Sequence, residues 1–248
     1  MEKQEGQSLA LQQHVLPYTD LFIDFDDTLC DTHGNADLAL REVFDDFGLQ
    51  QWFAHPEDFY TAYWQANIDL WQRYGRGEVT RQFLIVERFR RPLSCGKGLD
   101  VTEQLCLDMN DRFLDHCAEK PGVVEGAHEL VNYLLDRGYR LHLCSNGFHE
   151  VQYRKIHSCG FDGCFHSIIL SEDAGVNKPS KGFFDYAFRL SGASPENTLM
   201  IGDGWDSDMR GAIDYGLDTM FFNRFPDYPA PQPVKYEVHS LREIFGLL

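Results

Sequence analysis

The sequence predicts an α/β protein, a doubly wound parallel sheet into which an all-helical segment is inserted. Three observations predict it. From residue 121 onward, short apolar strand-like runs alternate with helical patterns, as parallel strands joined by crossover helices do. One further strand-like run, over 21–26, stands apart near the start. Between them, residues 31–120 carry helical spacing and no alternating run. The expected division is 1–30 as the first strand of the core, 31–120 as a helical cap and 121–248 as the remainder of the core.

Taken in order, Leu21-Phe22-Ile23 reads as a buried strand that runs into Asp24-Phe25-Asp26-Asp27-Thr28. In the insert, Leu38, Val43 and Phe47 recur near helical spacing before Gly48, which suits a C-terminal stop. A second helix is expected over 56–74, apolar at Phe59, Tyr63, Ile68 and Trp71 and ended by Gly75-Arg76-Gly77. A third follows Thr80 as N-cap and stops before Pro92, and a fourth spans 100–118. Beyond 121, helices are expected over 126–137, 150–158, 181–190 and 207–215, with strands over 139–144, 167–170, 198–201 and 218–222. The stretch 225–233, with four prolines, reads as a surface loop leading to a short closing strand and helix. The first strand becomes the central member, and the insert lies above the carboxyl ends of the strands, where open α/β sheets bind ligands.

The 248 residues are 43% hydrophobic and 14% aromatic, a composition that folds. Against 39 Asp and Glu stand 22 Lys and Arg, a net charge of -17, which excludes general binding of nucleic-acid polymers. An anionic ligand must then be attracted locally, by a metal ion, a lysine or backbone amides. Seven Cys without a CxxC pair fit reduced thiols, and residues 1–13 lack the basic start and apolar core of a signal peptide. No apolar run reaches the length of about eighteen residues that spans a bilayer. A soluble, cytoplasmic protein without membrane partners is expected.

Alternation along the first strand would put Phe22, Asp24 and Asp26 on one side if extended geometry persisted that far. Carboxylates that converge repel unless a cation or proton sits between them, so the run points to divalent-cation binding, acid/base work or both. The alternative is a solvated Asp-rich turn that caps the next helix. Later strand ends supply Ser145-Asn146-Gly147, Asn177-Lys178-Pro179 and Gly202-Asp203-Gly204-Trp205-Asp206-Ser207-Asp208. The ten His lack metal-ligand spacing, and Cys30 reads as a neutral packing thiol. Tyr60, Tyr63, Trp64 and Trp71 read as cap core in preference to a base-stacking platform; with Tyr18 and Phe148 they are the stacking candidates.

These clusters, in this order and at strand ends, resemble the haloacid dehalogenase superfamily: an Asp-x-Asp-x-Thr start, a Ser or Thr, a Lys, and a Gly-Asp loop closed by a further Asp. The resemblance implies a Rossmann-like core with a helical C1 cap. It implies Asp24 as nucleophile forming an aspartyl phosphate, and Asp26 as acid for the leaving group and base for water. Mg²⁺ would be held by Asp24, the backbone carbonyl of Asp26 and Asp203. Thr28, Ser145, Asn146 and Lys178 would bind the phosphoryl group, Lys178 also neutralising Asp24, with Asp208 or Asp206 in support. Asp27 departs from the Gly of many relatives and becomes a cap or a supporting carboxylate. Relatives that dehalogenate small acids lack the second Asp, so Asp26 favours phosphoryl transfer to water. The implied activity is Mg²⁺-dependent hydrolysis of a small phosphorylated metabolite, with a nucleoside 5'-monophosphate as first choice. Alternatives are a sugar-phosphate phosphatase, a phosphomutase resembling β-phosphoglucomutase, and a non-catalytic binding protein on the same fold.

Overall fold

A computed structural model describes residues 18–225 and 229–248. The readings of residues 1–13 and of 226–228 within the proline-rich stretch lie outside these. Six strands form one parallel sheet in the order β3-β2-β1-β4-β5-β6: β1 (Asp20–Ile23), β2 (Arg140–Ser145), β3 (Ser167–Leu170), β4 (Thr198–Gly202), β5 (Asp218–Phe222) and β6 (Tyr236–Val238). The first strand is internal, paired Ile23 to Leu143 on one side and to Ile201 on the other. Both neighbours enter by crossover, so their carboxyl ends reach the same edge as that of β1.

Period-two alternation sorts the strand residues between two apolar layers. Leu21, Ile23, Leu143 and Ile201 pack with α5 (Ala127–Asp136), α6 (His149–Ser158) and the C-terminal turn, Leu241–Gly246. Phe22, Cys144 and Met200 face the other way, against α8 (Lys181–Ser191) and α9 (Arg210–Tyr215). Between β3 and α8 lies a single short helical turn, α7 (Ser171–Ala174). Phe22 is fully buried, so its truncation to Ala would cost about 3–5 kcal/mol.

Between β1 and α5 stand α1 (Thr32–Asp46), α2 (Pro56–Gly75), α3 (Arg81–Leu93) and α4 (Glu103–Glu119). They enclose a separate apolar cluster that includes Leu40, Phe44, Phe59, Tyr63, Phe89 and Met109. The two strands of chain joining insert and core are tied together: the Asn35 side chain donates to Gly122 O at 2.9 Å and accepts from Gly122 N at 3.1 Å.

Several boundaries differ from expectation. The first strand ends at Ile23, because the amides of Leu29 and Cys30 both donate to Phe25 O and the chain folds back on itself, with Asp27 at φ 62. The third helix runs through Pro92, which sits in its last turn; there the missing N–H removes one i→i−4 hydrogen bond but does not end the helix. The fourth begins at Glu103, where the Thr102 hydroxyl accepts from Leu105 N. The helix expected over 207–215 is a π-helical turn, Trp205–Met209, followed by α9.

Candidate active site

The carboxyl ends of β1, β2 and β4 and the insert above them bound a cavity of about 600 Å³. Asp24 leaves β1 with its amide still donating to Ile201 O, and its side chain is buried. Lys178, also buried, reaches it from the loop before α8: Nζ donates to Asp24 Oδ1 at 2.5 Å and to Cys144 O at 2.6 Å, and pairs with Asp208 Oδ1 at 2.7 Å. The Asn146 side chain clamps the Lys178 peptide, donating to its carbonyl at 3.0 Å and accepting from its amide at 2.8 Å. Burial pulls the Lys178 ammonium down, but Asp208 and Asp24 outweigh it and hold the charge above its ordinary range.

Asp24, Asp203 and Asp208 each present a carboxylate oxygen within 4.8 Å of the others. Burial and the surrounding carboxylates push Asp24 well above the ordinary range despite Lys178, and burial with Asp208 and Asp27 pushes Asp203 to about 7. Thr28 is fully buried and does not line the cavity; its hydroxyl donates to Asp203 Oδ1 at 2.9 Å and accepts from Asp203 N at 3.1 Å. The residue expected to touch substrate therefore orients a carboxylate instead. The structure also separates the two acids at the end of the loop. Asp208 is buried and accepts from Gly204 N, whereas the Asp206 side chain is exposed and pairs with Arg210 at 3.0 Å. Gly202 makes room for this: a Cβ there would lie 2.5 Å from Asp208 Oδ2.

Asp26 lines the same cavity as Asp24, but it lies past the end of the strand, where alternation no longer sets its direction. After the strand ends, its carboxylate turns toward α6, where it ion-pairs with Lys155 and accepts from Thr32 Oγ1 at 2.7 Å, Ser145 Oγ at 3.0 Å and Gln152 Nε2 at 3.0 Å. Burial raises its pKa, yet the Lys155 ammonium and these donors overcome that and hold it at about 2. Ser145 is fully buried, held by Gly147 N, Gln152 and Asp26. Asp27 accepts from His33 N at 3.0 Å and pairs with Arg224, so it caps α1 and supports the turn at once.

Lys155 and Gln152 escaped the sequence reading. The available signal was the buried face Val151, Gln152, Lys155, Ile156 of α6, on which one charged residue stands. Cys30 is fully buried with the Cys159 thiol 3.6 Å away, and that hydrogen bond lowers its pKa to about 7. Tyr60 and Tyr63 belong to the insert's core as expected, but Tyr63, Trp64 and Trp71 also line the cavity, Trp64 stacked on His33 with centroids 4.0 Å apart. Phe148 lines it too, whereas Tyr18 lies at the far end of β1 with its hydroxyl on Asp218.

The family model for haloacid dehalogenase-like hydrolases matches residues 21–216. HAD-hydrolase YfnB of Bacillus subtilis is 32% identical over 234 residues, 93% of this chain and 95% of its own. Pyrimidine 5'-nucleotidase YjjG of Escherichia coli is 31% identical, covering 92% and 96%. Pyrimidine 5'-nucleotidase PynA of Streptococcus pneumoniae is 28% identical, covering 93% and 95%. The magnesium-bound crystal structure of YfnB superposes with a TM-score of 0.82 at 30% identity, over 93% of this chain and 98% of that one. With an extended parallel sheet, an inserted set of helices and this ordered set of strand-end residues, the chain belongs to the haloacid dehalogenase-like hydrolase family.

Proposed function

We propose that this hydrolase is a Mg²⁺-dependent phosphatase that cleaves a nucleoside 5'-monophosphate through an aspartyl phosphate on Asp24, with residues 31–120 acting as a cap. The observation that carries the reading is Lys178 bridging Asp24 and Asp208 inside a cluster of three carboxylates. An all-oxygen, all-carboxylate set suits a hard divalent cation such as Mg²⁺. Asp24, Asp203 and Asp208 would hold it, together with the Asp26 backbone carbonyl. Bound there, Mg²⁺ neutralises charge on the phosphoryl oxygens.

The protein's own residues carry the rest. Lys178 screens the substrate phosphate from Asp24 while an Asp24 oxygen attacks phosphorus; the O–P bond forms as the ester P–O bond breaks, and the leaving alkoxide takes a proton from Asp26. In the second half, water attacks phosphorus, its proton passes to Asp26, and the Asp24–phosphorus link breaks to release inorganic phosphate. Held at about 2 by Lys155, Asp26 is ionised as this second half requires. To act as acid in the first half it must take up a proton, which the Lys155 ammonium opposes.

For the substrate, support comes from Trp64 and Trp71 along the cavity and from the nucleotidases YjjG and PynA among the relatives. Among the described residues no helix is long and apolar enough to cross a membrane, and the seven cysteines are free, in keeping with a cytoplasmic enzyme acting on a small soluble ester. The test is phosphate release from nucleoside monophosphates and sugar phosphates, with Mg²⁺ and with EDTA. Metal-dependent release concentrated on nucleotides is expected. Release from sugar phosphates alone would discard the substrate, and no release would discard the activity.

A further inference from the structure

Arg88 of α3 is fully buried, lines the cavity, and among the described residues enters no ion pair. One arm of its guanidinium donates to Asn110 Oδ1; its Nε has no partner at all. The planar group lies over the Phe113 ring, 5.1 Å from the centroid, and Phe113 also lines the cavity. Asp111 is the acid that bears on it electrostatically, without touching it. A buried, unpaired guanidinium destabilises the fold. Such a group persists where something outside the chain satisfies it.

A second orphan stands on the adjoining helix. Asn67 follows Tyr63 by one helical turn on the cavity side of α2 and precedes Trp71 by another, and its Oδ1 is buried without a donor. Two residues of the cavity wall thus hold an unmet donor, Arg88 Nε, and an unmet acceptor, Asn67 Oδ1, both buried, alongside the rings of Trp64 and Trp71. The site chemistry already assigned to Asp24 and Lys178 uses none of these.

We propose that Arg88 and Asn67 are specificity-determining residues that read the polar edge of a planar ring at the end of the substrate away from the phosphate. The ring fitting this pair presents a carbonyl beside a ring N–H, as a uracil-type base does: the carbonyl oxygen accepts from Arg88 and the N–H donates to Asn67. This rests on the nucleotide reading above and assigns to it the residues that distinguish a nucleotide from a bare sugar phosphate.

The experiment compares kcat/KM for uridine 5'-monophosphate with kcat/KM for ribose 5-phosphate in the same preparation, for the full-length protein and for Arg88→Met and Asn67→Leu. The ratio cancels any loss of folded protein. Wild type is expected to favour the nucleotide, and Arg88→Met to lower the ratio by about 10- to 100-fold, the worth of hydrogen bonds to a charged donor. Asn67→Leu should lower it by about 10-fold or less. A ratio unchanged in Arg88→Met, or both substrates falling by one common factor, would overturn the assignment while leaving the nucleotidase reading in place. An unchanged ratio in Asn67→Leu would remove Asn67 from the pair and overturn the edge reading. If wild type hydrolyses ribose 5-phosphate but not the nucleotide, the nucleotidase reading falls first and this inference with it.

Discussion

Replacing Lys155 by Met isolates the ion pair that sets the charge of Asp26. In the native protein Asp26 is held at about 2 against an ordinary 3.8. A difference of roughly two pH units corresponds to about 2–3 kcal/mol, and the 29% exposure of the Asp26 side chain trims this to about 2 kcal/mol through solvent screening. A carboxylate held low in the folded state contributes stability that is complete above its unfolded value and is lost as pH falls through about 2. Lys155, held above its ordinary 10.5, contributes fully below that value. Urea unfolding of Lys155→Met should therefore show a loss of at least about 2 kcal/mol at roughly pH 7–9, which shrinks as pH falls and the uncompensated Asp26 carboxyl of the variant takes up a proton. The same variant removes what opposes burial at Asp26, so its carboxyl should rise above 3.8 and bring a new acid limb into the pH profile of Mg²⁺-saturated kcat/KM. No stability loss at roughly pH 7–9, or a pH profile superimposable on wild type, would refute the assignment of Lys155 as the group that ionises Asp26.

Asp24→Asn should abolish turnover with Tm shifted by only a few degrees, since Lys178 keeps Asp208 and Cys144 O; appreciable residual hydrolysis would refute the nucleophile. Thr28→Val removes both bonds that orient Asp203, and the Mg²⁺ concentration for half-maximal rate should rise about 10-fold with the rate at saturating Mg²⁺ retained. Asp206 and Asp208 should part company: Asp206→Ala breaks an exposed pair worth under about 1 kcal/mol and should leave activity near wild type, whereas Asp208→Asn strips Lys178 of a buried partner and should impair both metal response and stability. Equal effects from the two would contradict the burial contrast.

The strands along the chain, the inner place of the first one and the strand-end positions of Asp24, Lys178 and Asp203 were legible because strands buried on both faces read as continuous apolar runs, and their polar ends stand out against them. The turn after β1 was not, since an αL conformation at Asp27 leaves little trace in a residue that also reads as a cap. Nor were Lys155 and Arg88: local periodicity treats a charge on a helix as solvent-facing, and only the tertiary partners Asp26 and Phe113 reveal why these two turn inward. Thr28 turns on its partner too: a hydroxyl beside two carboxylates fits substrate or scaffold equally well in sequence, and only the fold brings it onto Asp203. The aromatic stripe on α2 likewise divides by register, with Tyr60 in the insert's core and Trp64 on the cavity.

The charges around the site explain why a chain of net -17 can hold a phosphate ester, and they make a prediction about binding as distinct from turnover. Each buried lysine is already engaged: Lys178 by Asp24 and Asp208, Lys155 by Asp26. Asp203 adds a further carboxylate with Thr28 as its partner and no lysine of its own. A phosphate dianion approaching the protein alone meets lysines whose charge is already matched by carboxylates, in a cavity where water screens it poorly. A divalent cation on the carboxylates reverses that balance before any bond is made. Inorganic phosphate, which undergoes no ester cleavage, should therefore show calorimetric binding to the wild-type protein with Mg²⁺ and none at the same concentration in EDTA. Equal binding in both would mean that the cation serves the chemical step alone, and that cationic or backbone donors outside the lysine pairs suffice to hold the phosphate.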